Sequence, residues 1–164
     1  MLRNLKTRCA LLGKIIHKAQ EVPFPENSPL KTTLTRADYE DAFARFIPEL
    51  SEEDTAEKLL QRMSTEFPSF VLRAKKFKEM LFSPLGFSPV GLEQFRWMDL
   101  GRDDRVGIFT NKPFTAHIGL SIDRKRKKVV LSSRVVFHNF IGRGYMALIK
   151  PAHRTVFKFL LNRL

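Results

Sequence analysis

Val135-Val-Phe-His-Asn-Phe-Ile-Gly-Arg-Gly-Tyr-Met-Ala-Leu-Ile-Lys-Pro-Ala-His-Arg154, continued by Thr155-Val-Phe-Lys-Phe-Leu-Leu-Asn-Arg-Leu164, closes the chain and decides how it is read. The stretch ends a strand, turns, and enters a long helix. At about 100° per residue, Tyr145, Leu148, Ile149, Ala152, Val156, Phe159 and Leu160 share one wide apolar side, while Lys150, Arg154 and Lys158 recur on the other. An apolar stripe of that width must be buried on something, and the strands before it are the available surface.

Working backwards, the period is two from Glu93 onward. Phe95 and Trp97 alternate with Arg96 and Met98, Arg102–Arg105 is a polar turn, and Val106, Ile108 and Thr110 alternate up to the Asn111-Lys-Pro113 turn. Phe114, Ala116, Ile118, Leu120 and Ile122 form an uninterrupted apolar face. Asp123-Arg-Lys-Arg-Lys-Lys128 is a basic hairpin tip, after which Val129, Leu131, Val135 and Phe137 return to the same core. This predicts an antiparallel meander of four strands with helices on one face, and hence the α+β class.

Before the meander the pattern is helical. Ser51–Asp54 offers caps and first-turn acids for a helix over about 54–65 with Ala56, Leu59, Leu60 and Met63 inward. A second helix follows Pro68, carrying Phe70, Ala74, Phe77 and Leu81, and stops at Pro84-Leu-Gly86. Asp38–Ile47 is ambiguous: helix propensity is adequate, and Tyr39, Asp41, Phe43, Arg45 and Ile47 do not make a clean strand face. Val22–Pro29, with three prolines in eight residues, is a linker. Residues 2–20 read as a basic amphipathic helix, with Leu2, Leu5, Leu12, Ile15, Ile16 and Ala19 on one face. The organisation expected is therefore an N-terminal helix and linker over 1–34 and an α+β domain over 35–164.

Composition narrows the function classes. The 164 residues carry a net charge of +12, a hydrophobic fraction of 43%, and 15 Phe against 2 Tyr and 1 Trp. Such a chain buries a core, and Phe, lacking a polar tip, fills it or lines an apolar cavity. The charge attracts nucleic acid, anionic lipid or acidic ligands without choosing among them. Single-strand nucleic-acid binding is disfavoured, because the aromatics alternate away from the basic residues toward the core. One cysteine, Cys9, allows no internal disulfide and fits a reducing compartment. No apolar run approaches a membrane span, and Lys14 interrupts the only patch resembling a signal peptide, so the expectation is a soluble, unprocessed cytoplasmic protein that can also sit peripherally at an inner membrane.

The segment Val135–Arg154, with its Asn139, Gly142-Arg143-Gly-Tyr145 step and Pro151-Ala-His153-Arg154, resembles the C-terminal signature of a bacterial family catalogued as a domain of unknown function. Asp38-Tyr-Glu-Asp-Ala-Phe43 and Leu81-Phe-Ser-Pro-Leu-Gly-Phe87 also fit it, so the resemblance spans about residues 38–164. That family is sometimes found behind NAD(P)-binding Rossmann domains and is grouped with the helix-grip superfamily of START and birch-pollen-allergen-like proteins. The resemblance implies a curved sheet gripping the C-terminal helix, often around an apolar cavity, and makes Asp38–Ile47 the first strand. Ala152 and Gly144 are smaller than the family pattern, which would open space beside the helix.

The candidate residues follow. Trp97, Ile118, Tyr145, Ile149 and His153 are the expected lining of a site for an apolar or amphipathic small molecule. Arg143 and Arg134 are candidate anion-binding residues, with Asp103 or Asp104 expected to compensate Arg143 at the helix start. Pro151 should kink the helix. His117, His138 and His153 lack metal-ligand spacing, and neither a nucleophile elbow nor a phosphate-cradling glycine motif is present, so no metal, cofactor or catalytic residue is assigned. The preferred reading is a non-catalytic binding module. The alternatives are peripheral membrane association through residues 2–20 and the basic tip, and an enzyme of the same superfamily using His153 and Tyr145. Sequence leaves the oligomeric state open.

Overall fold

The computed structural model describes residues 18–64 and 94–164. Their strands are β1 (Gln20–Val22), β2 (Tyr39–Phe46), β3 (Arg96–Asp99), β4 (Asp104–Thr110), β5 (Phe114–Asp123) and β6 (Lys128–Phe137). They form one antiparallel sheet in the order β1-β2-β6-β5-β4-β3. The expected four-strand meander is β3–β6, and β2 and β1 extend it beyond β6. The helices are α1 (Pro29–Thr33), α2 (Ala56–Ser64) and α3 (Phe140–Leu161). The chain is thus an α+β protein with an open antiparallel sheet against a long C-terminal helix, a helix-grip-like arrangement. No described helix is long and apolar enough to cross a membrane.

Period two sets the two faces of the sheet. Phe43, Leu131, Leu120, Val129 and Ile118 point to the inner face, where α2 and α3 lie over them. The four inward residues expected of α2 are buried there. A Leu or Phe so enclosed contributes roughly 1.5–3 kcal/mol relative to an exposed one. On the outer face, Leu30 of α1 is fully buried over Gly119, where an added Cβ would stand 3.1 Å from its side chain.

Local chemistry explains the ends. Ser28 accepts from the Leu30 amide and Pro29 opens α1. Thr55, one residue past the expected acids, caps α2 through the Lys58 amide, while Asp54 closes the preceding turn and pairs with Arg62. The start of α3 is fixed by Asn139, whose Oδ1 accepts from the Gly142 amide. Glycine is required at 142, because a Cβ there would lie 2.3 Å from the Pro113 carbonyl oxygen.

Several expectations need correction. The helix read over residues 2–20 cannot reach its end, because Gln20 begins β1; residues 2–17 lie outside the described residues, as does the helix expected after Pro68. Asp38–Ile47 is a strand, as the resemblance implied, but β1 precedes it. Leu148 does not face the sheet; it is 60% exposed, and the buried line of α3 runs through Tyr145, Met146, Phe157, Leu160 and Leu161. Gly144 is exposed, with no described atom within 4 Å of its would-be Cβ, so its small size opens toward solvent. Helix α3 continues through Pro151, which lies on its exposed side together with Ala147, the residue whose carbonyl loses a helical donor there.

Candidate functional site

Strand β2 carries a carboxylate where a core residue belongs. Tyr39, Asp41 and Phe43 share the inner face, and Asp41 is only 8% exposed. Its register partner on β6 is Ser133, also buried, and His153 of α3 lies above the pair. The Tyr39 hydroxyl donates to Asp41 Oδ2 at 2.6 Å, and the Ser133 hydroxyl donates to Asp41 Oδ1 at 2.6 Å. His153 Nε2 stands 3.3 Å from Ser133 Oγ and 3.4 Å from Asp41 Oδ2.

Proton assignment follows from counting donors. Both hydroxyl protons are committed to the carboxylate, so Nε2 of His153 is the donor to Ser133 Oγ and Asp41 Oδ2. No described residue bonds Nδ1, and the His153 side chain keeps 16% exposure. Phe157, one turn on, packs its ring 4.1 Å from the imidazole, and Tyr39 meets it edge-on at 6.2 Å. Burial opposes ionisation of Asp41, but the hydrogen bond and charge of His153, with the bonds from Ser133 and Tyr39, outweigh it and hold the carboxyl below its ordinary range. Burial, reinforced by Asp41, pushes the Tyr39 phenol up.

The register extends this cluster into a row. Asp41 pairs with Ser133, Ser133 with Ile118, Ile118 with Gly107, and Gly107 with Trp97. Five strands thus place one line of residues across the inner face, about 19 Å from end to end at the usual strand spacing. Its β2 end is polar and ionised; its β3 end is the indole of Trp97, folded over Gly107 so that a Cβ there would lie 3.0 Å from the ring. The next row runs Tyr39, Val135, Ala116 and Phe109, with Phe95 5.7 Å from Phe109. Above them, His153, Ile149 and Tyr145 lie four residues apart on α3.

Of the residues singled out from sequence, Ile118 and Trp97 lie on the inner face, Trp97 at its β3 edge against Phe95 and Gly107, while Tyr145, Ile149 and His153 lie along α3. Tyr145 is two turns from His153 and stacks on Phe114 at 5.5 Å; burial raises its phenol pKa. The two arginines lie elsewhere. Arg134 is buried on the outer face, with Glu40 at 3.6 Å, the Thr35 carbonyl at 3.4 Å and the Phe24 ring at 5.6 Å. His117 beside it meets Thr33 Oγ1 at 3.0 Å, and burial, then the Arg134 charge, lowers its pKa. Arg143 is exposed at the start of α3. Asp103 does not compensate it, being gripped by Arg124; the acid that feels its charge is Asp38, whose carboxyl is lowered chiefly by the Phe137 amide. Arg124 also donates to the Ser51 and Asp54 carbonyls, so this member of the basic tip ties three loops together. His138 meets Thr115 at an exposed position. Among the described residues no three His, Cys, Asp or Glu side chains gather as a metal site requires.

Sequence reading missed Asp41, Ser133 and Tyr39. The signal was present as the broken alternation of Asp38–Ile47: a carboxylate at the position where the strand should be apolar.

Searches of curated proteins and of solved structures give no match. A family model does match, over residues 33–160, spanning β2 through nearly all of α3 and so every member of the cluster. The chain belongs to the family described as "Protein of unknown function (DUF2867)".

Proposed function

We propose that this protein binds an amphipathic small molecule between α3 and the inner face of the sheet, without transforming it. The apolar body would lie along Ile118, Gly107 and Trp97 beneath Ile149 and Tyr145, and the polar end would meet His153. The observation that carries this reading is the cross-strand row, polar at Asp41 and aromatic at Trp97. A buried ion costs several kcal/mol of desolvation unless its partners offset it, and an apolar residue at 41 would serve a core better. The arrangement orients His153 by binding its Nε2 and leaves Nδ1 without a described partner, which suits a ligand with a polar end. Resemblance to helix-grip proteins, which often enclose apolar cavities, points the same way. A catalytic reading would use Nδ1 as a proton acceptor assisted by Tyr145, but Tyr145 is about 12 Å away along the helix and lies against Phe114.

The test is native mass spectrometry of the protein as purified from cells, with an organic extract analysed in parallel. A discrete extra mass that extracts as one amphipathic compound is expected. Adding that compound back to stripped protein should change the emission of Trp97, the sole tryptophan. A bare protein mass would contradict the proposal.

A further inference from the structure

The side of α3 turned away from the sheet has its own composition. Phe140 is 82% exposed and Leu148 60% exposed, and Ala147 and Pro151 lie exposed between and beside them. Phe140 and Leu148 are eight residues apart, which puts them about 12 Å from each other along one face. Among the exposed positions of the helix the charged residues are Arg143 and Lys150, of which Lys150 reaches back to place its ammonium 5.4 Å from the Tyr39 ring, and α3 contains no acid at all. At the Phe140 end, Asn139 Nδ2 donates to the Lys112 carbonyl, bringing the exposed Lys112 beside the positive end of the helix dipole. The nearby acids are already engaged: Glu21 pairs with Arg154, and Asp38 is tied to the Phe137 amide and to Arg36.

We propose that this outward face of α3 docks on an anionic lipid surface, with Phe140 and Leu148 entering the interface and Lys112 and Arg143 meeting the phosphates. Large exposed apolar side chains framed by cations, on a chain of net charge +12, fit an anionic bilayer and are a liability in bulk water. The surface does not include the hairpin tip, and does not depend on a ligand being bound at the row.

The experiment is co-sedimentation of the full chain with vesicles of phosphatidylcholine alone and of an equimolar phosphatidylcholine–phosphatidylglycerol mixture. Binding to the mixed vesicles only, released by salt, is expected. Phe140→Ser/Leu148→Ser should weaken it on the order of tenfold or more while leaving thermal unfolding unchanged. Arg143→Glu, which leaves both apolar residues in place, should weaken it too, and Lys125→Glu at the hairpin tip should not. Absence of wild-type binding, or binding at the wild-type level by the double variant or by Arg143→Glu, would overturn the proposal. So would a wild-type dimer that the double variant converts to monomer, because the face would then be covered by a second copy.

Discussion

Strands β5 and β2 belong to one sheet and face one core, yet they are built on different terms. Every inner position of β5, from Phe114 to Ile122, is an apolar residue in the core cluster. Strand β2 interleaves Phe43 with Tyr39, Asp41 and Arg45 on the same side. Burial specifies the inner positions of β5. Strand β2 needs partners supplied by distant chain: Ser133 and His153 for Asp41, and the Leu161 carbonyl for Arg45 at 3.0 Å. The contrast teaches that the inner face is divided into a region specified by packing and a region specified by hydrogen bonding. The second is where recognition is proposed.

Breaking each region should reveal different physics. Asp41→Ala is expected to lose about 3–5 kcal/mol in urea denaturation, because Tyr39, Ser133 and His153 are left buried without their acceptor. Leu120→Ala is expected to lose about 2–5 kcal/mol through a cavity. The two are told apart by coupling. The Asp41→Ala loss should shrink when Tyr39→Phe and Ser133→Ala are added, whereas the Leu120→Ala loss should be nearly additive with both. Equal additivity in the two strands would erase the distinction.

A gentler probe is acid. The folded-state pKa of Asp41 is depressed, so its contribution is present above the unfolded aspartate value of about 4 and is lost as pH falls through the lower folded value. Stability measured from neutral pH down into that range should fall more steeply for the wild type than for Asp41→Asn, which has no carboxyl to protonate. Parallel curves would mean that Asp41 is not held ionised.

The same division explains what could be read from the sequence. Strand β5, the basic hairpin, the inward face of α2 and the C-terminal helix were legible because burial writes a period into the chain. Strand β2 was not, since Asp41 and Arg45 interrupt its alternation and their partners lie more than ninety residues away. Leu148 was misassigned for a related reason: periodicity identifies apolar residues, and cannot tell a stripe packed on a sheet from an outward face. The three residues of β1 and five of α1 are too short to carry a period, although Ser28-Pro29 is a helix-start signature. Of the proposed site, the helix side and the Trp97 end were expectations from the sequence, and the carboxylate beside His153 was missed.

The central claim is that the Asp41 cluster serves recognition and is not a source of stability. Its most direct test is equilibrium urea denaturation of a protein in which the whole cluster is apolar, Tyr39→Phe/Asp41→Leu/Ser133→Ala/His153→Leu. A purpose in recognition predicts a protein as stable as the wild type or more so, by up to about 4 kcal/mol. Loss of several kcal/mol, or failure to fold, would show that the cluster holds the fold together and would contradict the account.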